Sequence, residues 1–124
     1  MIKVLPQYLD REGRHTLSPS LYDRDAYQAH LRRHSEDRFG VRFATQWKAP
    51  GSLSLRLRIE LRGARGKDPT TAVLEQQVRS RTFSTWSYLK LGGTDYERFG
   101  ELVAWRATLW DGDQQVAEQR SFLW

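Results

Sequence analysis

Five large apolar residues, Leu53, Leu55, Leu57, Ile59 and Leu61, alternate with Ser54, Arg56, Arg58, Glu60 and Arg62. A period of two puts every apolar side chain on one face of an extended strand and every polar one on the other, so this segment reads as a β-strand with one wet face. Its dry face needs a second apolar sheet to cover it. The end of the chain is the natural supplier. Within Leu102–Trp110, the residues Val103, Trp105 and Leu109, with Ala107 between, alternate against Ala104, Arg106 and Thr108. Asp111-Gly112-Asp113 then makes a tight turn, because Gly tolerates positive φ and Asp bonds its own backbone, and a last strand is expected to run on to Trp124.

The same period recurs from Val41, where Val41, Phe43, Thr45 and Trp47 point one way and Arg42, Ala44, Gln46 and Lys48 the other, until Pro50-Gly51 ends the strand. Gly63 to Pro69 reads as a flexible loop and Thr71 to Arg79 as a more polar strand with the look of a sheet edge. A further strand is expected over Trp86 to Leu91, followed by a loop from Gly92-Gly93 through Tyr96 to Gly100. One helix is expected, over Leu21 to Ser35, with Ser20 as its cap and Asp23 in the first turn, where a carboxylate suits the positive end of the dipole. Residues 2 to 5 form a short apolar segment suited to an edge strand.

A chain of 124 residues with 39% hydrophobic and 12% aromatic content can bury one core, and a second domain would be starved of one. Cysteine and asparagine are both absent, which excludes disulfides, thiolate metal sites and N-glycosylation sequons. No apolar stretch has the length of a signal peptide or a membrane span, so a soluble, cytoplasmic protein is expected. The net charge of +5 comes from 20 Lys and Arg against 15 Asp and Glu, a modest imbalance. Only Lys3, Lys48, Lys67 and Lys90 are lysines, and this Arg-heavy, Asn-free usage fits a GC-rich, bacterial coding context.

Six closely spaced strands from residue 41 onward fit an antiparallel sandwich, since a parallel sheet would need crossover helices. With Leu53 to Leu61 as an early central strand, Trp86 to Leu91 as a later one and Phe99 to Trp105 entering the closing hairpin, the chain resembles an immunoglobulin-like or fibronectin type III-like β-sandwich. The antibody-type Cys pair is missing, and an architectural resemblance carries no function with it. The fold expected is therefore mainly β: a single domain over residues 1–124, with a helical N-terminal extension (1–40) preceding an antiparallel immunoglobulin-like sandwich (41–124).

Several constellations bear on function. His30 and His34 stand four apart on the helix, and Asp23, seven residues before His30, projects near the same face, so the three are the candidate metal ligands. That face also carries Tyr22, Ala26, Tyr27 and Leu31, the mark of a helix docked on a sheet, and no metal or other cofactor is expected. Gly63-Ala64-Arg65-Gly66-Lys67-Asp68 is too short for a phosphate loop and has Asp68 where a hydroxyl should hold Mg²⁺, so it reads as a hairpin connection. No nucleophile elbow or Ser-His-carboxylate pattern is present, which points away from an enzyme.

Two groups of residues are suited to contact. Arg56, Arg58 and Arg62, with Arg65, Lys67, Arg79 and Arg81 nearby, can make a basic sheet face able to grip phosphates, although Glu60 and Glu75 are interleaved. Trp86, Tyr88 and Trp110 are the aromatic residues that can stack on a sugar or anchor a partner, whereas Trp47 and Trp105 lie on apolar phases and belong to the core. The function expected is a non-enzymatic binding or assembly module that takes a protein partner, with carbohydrate or nucleic-acid binding as alternatives. An edge-like Thr71 to Arg79 strand also makes a homo-oligomer plausible.

Overall fold

The alternating segment is strand β3 (Ser54–Arg65), with Leu55, Leu57, Ile59 and Leu61 essentially inaccessible and the arginines facing out. The computed structural model describes residues 2–49, 54–81 and 83–124, so Leu53 and the Pro50-Gly51 stop lie outside it. Among the described residues the chain makes seven β-strands in two antiparallel sheets, and two α-helices. One sheet has the order β4-β3-β6-β7, where β4 is Asp68–Arg79, β6 Glu101–Asp111 and β7 Gln114–Arg120. The other has the order β1-β2-β5, from Ile2–Leu9, Gly40–Trp47 and Thr85–Gly92.

The inner faces share one core, which makes the arrangement sandwich-like. Val41, Phe43 and Trp47 of β2 and Leu89 and Leu91 of β5 meet the β3 leucines and Ala107 and Leu109 of β6. Trp47 is fully buried, and its indole N–H donates to Ser87 Oγ across the strand at 3.0 Å, so no polar atom of the ring is stranded. Trp105 meets Phe43 edge to face with centroids 6.3 Å apart.

Four expectations need correction. The closing hairpin, expected to cover the dry face of β3, lies beside it instead: β6 pairs with β3 in the same sheet, and β2 and β5 supply the cover. Residues 1–40 are not an extension of the sandwich: β1 pairs with β2 along its whole length, and only the helix α1 (Leu21–Arg33) and the segments flanking it stand outside the sheets. Pro6 interrupts the apolar signal of β1, and its missing N–H is tolerated because the strand lies at an edge. The supposed loop from Gly63 to Pro69 is a two-residue hairpin, with Arg65 opposite Asp68 and Gly66 at φ 63 taking the tight turn. The supposed loop after Gly92 contains helix α2 (Gly93–Phe99), capped at its far end by Gly100, whose N–H bonds the Tyr96 carbonyl.

The closing hairpin also departs from simple alternation. Ala104 lies opposite Arg62 and Leu102 opposite Gly63, which leaves Val103 as the extra residue of a bulge, turned out and half exposed. A second register shift between Leu109 and Trp110 leaves Val116 unpaired in β7. That strand ends at Arg120, and Ser121 to Trp124 fold back in a turn instead of extending the ladder.

Both the first bulge and α2 depend on a close crossing. A Cβ on Gly63 would stand 2.5 Å from Phe99 Cζ and 2.6 Å from the Glu101 carbonyl oxygen, and one on Gly100, at φ 83, would strike the Ala64 carbonyl. The chain therefore lies directly over the end of β3, and Phe99 plugs the core there. Gly63→Ala is expected to destabilise the fold by about 2–3 kcal/mol, the usual cost of overpacking. Urea denaturation checks this, and an unchanged midpoint would show that the crossing is loose.

Candidate functional site

Two stacked sheets have four edge strands, and here these lie in pairs on the two sides of the sandwich, β1 beside β7 and β4 beside β5. On the first side, side chains bond the edge of β1 and the start of β6. Gln28 of α1, itself buried, accepts a hydrogen bond from the Tyr8 N–H at 2.7 Å and donates to the Tyr8 carbonyl at 2.8 Å, so it takes the place of a neighbouring strand. It also donates to the His15 carbonyl at 2.9 Å. Gln119 of β7 accepts from the Val4 N–H at 2.6 Å. Ser121 closes the start of β6, donating its N–H to the Trp105 carbonyl and accepting the Trp105 N–H on its hydroxyl, both at 2.9 Å.

The helix that supplies Gln28 is held by Asp10. This carboxylate accepts from the backbone N–H groups of Glu12 (3.0 Å) and Arg14 (2.8 Å), from Arg14 Nε (3.0 Å) and from the Tyr27 hydroxyl (2.6 Å). Burial pushes the Asp10 carboxyl up, but the bonds from Tyr27 and Arg14, with the Arg14 charge, outweigh it and hold the group below the usual carboxylate range. Burial and the bond to Asp10 push the Tyr27 hydroxyl up to about 12. Nothing in sequence spacing marks this pair as partners, since Asp10 and Tyr27 meet only through the fold.

The second side is open. A groove of about 480 Å³ runs along it, lined by Thr70 to Leu74 of β4, Leu91 of β5, and Asp95, Arg98 and Phe99 of α2. The Thr70 hydroxyl donates to the Phe99 carbonyl at 2.6 Å and fixes the start of β4. From Thr71 onward no strand among the described residues lies outside β4. Glu75 and Arg79 are the only charges on that stretch.

Arg56, Arg58 and Arg62 do share the outer face of the four-stranded sheet, where Arg58 meets acids and Arg56 and Arg62 lie over tryptophan rings. Arg58 lies 3.5 Å from Glu60 and 3.7 Å from Glu75, and on the same face Arg106 pairs with Glu118 at 2.7 Å. Arg56 covers the Trp110 ring at 5.7 Å and Arg62 covers Trp124 at 3.8 Å. Trp110 is thus not the open contact that its strand phase predicts: it is half-buried under Arg56, and its indole N–H donates to Thr108 Oγ1 at 2.8 Å.

Trp86 and Tyr88 lie on the outer face of the other sheet, so the three aromatics do not form one platform. Their own two rings are parallel within 12°, 6.4 Å apart and half exposed. Arg42 of the neighbouring strand lies 4.5 Å from the Tyr88 ring, with Nε and Nη2 bonded to Gln7 Oε1. Burial pushes the Arg42 pKa down. Burial, with Arg42 and Arg24 nearby, does the same to His15. The outward phase of Arg42 is legible in the sequence, but its position beside Tyr88 follows from strand pairing, which is not.

The three candidate metal ligands have other partners. Asp23 accepts from the Ser18 hydroxyl at 2.5 Å, His30 Nε2 lies 2.9 Å from Asp37 Oδ2, and His34 Nδ1 bonds the His30 carbonyl at 2.9 Å. Among the described residues, no three His, Cys, Asp or Glu side chains are placed to hold a metal ion together, and no helix is long and apolar enough to cross a membrane. Comparison with family models, with curated proteins and with solved structures found no match to this chain.

The Asp10–Tyr27 contact sets the expected pH response. A carboxyl whose pKa is lowered by folding adds stability that is complete above its unfolded value and is lost as pH falls through the folded one. A phenol whose pKa is raised adds stability that is complete below its unfolded value and is lost as pH climbs through the folded one. Urea unfolding is expected to show greatest stability between about pH 7.5 and pH 9, with a first acid loss below about pH 7, where His15 resists protonation in the fold, a further loss below about pH 5 from Asp10, and an alkaline loss above about pH 9. Tyr27→Phe should make the alkaline loss shallower, leaving the part due to Tyr96, whose hydroxyl burial also pushes up, and an unchanged alkaline limb in that variant would contradict the assignment.

Proposed function

We propose that the chain is a non-enzymatic binding module, an immunoglobulin-like sandwich of the fibronectin type III kind, that takes a protein partner as an extended segment added alongside β4. The strand order supports the fold reading. Strands one, two and five share one sheet and three, six and seven share the other, as in immunoglobulin constant domains, while the fourth strand pairs with the third.

The observation that carries the binding reading is the inequality of the two sides. On the β1 and β7 side Gln28 and Gln119 bond the backbone of β1 and Ser121 that of β6, whereas from Thr71 to Val78 no side chain among the described residues bonds the backbone of β4. A sheet edge left bare presents a ladder that an extended segment completes, with the groove beside it receiving alternate side chains. Asp10 and Tyr27, whose titration the fold shifts in opposite directions, are engaged in holding α1, which fits a binding role better than catalysis. A second copy offering its own β4 is one form the partner can take.

A displayed library of random peptides, selected on the immobilised protein, tests this. The selected peptides are expected to be extended and alternating, and to slow amide exchange along β4. Successive strand residues point their N–H groups to opposite sides, so one of Val73→Pro and Leu74→Pro removes an outward donor and leaves the β3 ladder whole. That variant should fold normally and bind at least tenfold more weakly. Peptides that leave β4 exchange unchanged would sink the proposal.

A further inference from the structure

The outer face of the β1-β2-β5 sheet differs in charge from the rest of the molecule. Trp86, Tyr88 and Lys90 point outward from β5 while Ser87, Leu89 and Leu91 turn into the core. The register sets them beside Gln46, Ala44 and Arg42 of β2, and one strand further across stand Lys3, Leu5 and Gln7. This grid holds three cations and no acid. On the opposite sheet, by contrast, Glu60, Glu75 and Glu118 lie among the arginines.

We propose that this face binds single-stranded nucleic acid without strong sequence preference, with Trp86 and Tyr88 stacking on bases and Lys3, Arg42 and Lys90 taking backbone phosphates. The chemistry fits in three respects. Two half-exposed rings, parallel within 12° and 6.4 Å apart, offer stacking surface to neighbouring bases, Trp86 with no cation over its ring among the described residues and Tyr88 on the part that Arg42, 4.5 Å from its centroid, leaves uncovered. Arg42 has no carboxylate partner among the described residues, and Gln7 engages only its Nε and Nη2, which leaves guanidinium N–H groups for a phosphate oxygen. Gln46 adds an amide able to meet base edges or sugar hydroxyls.

Size agrees as well. Two strand spacings, roughly 10 Å, separate β1 from β5, and four residues, roughly 13 Å, separate Trp86 from Lys90, so the face suits about four nucleotides, the low end for single-strand binders. A duplex would keep its bases stacked and paired, away from the rings. An acidic polysaccharide can also meet three cations and lay the C–H face of a sugar on a ring, but nucleic acid offers the rings a full π-face and the cations a phosphate in every repeat.

Fluorescence anisotropy of labelled octamers of dT and rU, with a duplex of equal length and polygalacturonate as competitors, tests the proposal. Binding is expected at low salt, with a log–log salt slope of about −2, the value for three phosphates neutralised on a single strand. Trp86→Ala and Tyr88→Ala, at exposed positions, should keep the wild-type melting temperature and each weaken binding about fivefold or more. Arg42→Gln should reduce the slope by about 0.7. No binding at low salt would overturn the proposal, as would binding unchanged in the Trp86→Ala, Tyr88→Ala double variant. Displacement of the octamer by polygalacturonate at lower concentration than by unlabelled oligonucleotide would overturn it in favour of an acidic glycan.

Discussion

The backbone of an edge strand has to find partners, and in this molecule that constraint organises more than the core does. Two sheets stacked on the leucines of β3 have four edges, and each leaves N–H and C=O groups along a line. On the β1 side the requirement explains a helix that otherwise buries little. Only Gln28 and Leu31 of α1 are buried, and Gln28 serves to bond both backbone groups of Tyr8. Asp10 and Tyr27 hold that helix in place, so one buried carboxylate underwrites the closure of a whole side.

The parts of the fold that were legible in the sequence are those where one physical period runs unbroken. Leu55 to Leu61 alternate without exception, and the structure places all of them inside. The capped start of α1 was legible because Ser20 accepts the Asp23 N–H, a local bond between near neighbours. What escaped was short or set by distant contacts. Helix α2 spans seven residues and opens on a glycine, too little for a 3.6-residue period to show. The bulge at Val103 is imposed by Phe99 crossing Gly63, a contact 36 residues apart in the chain that no local pattern records.

The candidate surfaces follow the same division. The phase of each strand told which residues face out, and Arg56, Arg58 and Arg62 do share a face. Strand pairing then decided what each one meets, and it reversed the weights: Arg58 lies beside Glu60 and Glu75 while Arg56 and Arg62 cover tryptophan rings, and Arg42, unremarked as one polar residue among several, stands against Tyr88 with no acid on its face. Trp110 and Trp86 look alike in the sequence, yet one is covered by an arginine and the other is open.

On the proposed reading, side chains bond the β1 edge of the sandwich while the β4 edge stands open to a partner. Amide hydrogen exchange of the free protein tests it most directly. Slow exchange is expected at Val4, Tyr8 and Trp105, whose N–H groups are bonded by Gln119, Gln28 and Ser121, and fast exchange at alternate amides of β4 from Thr71 to Val78. Equal, strong protection of every amide along β4 would show that its edge is already satisfied, and would contradict the account.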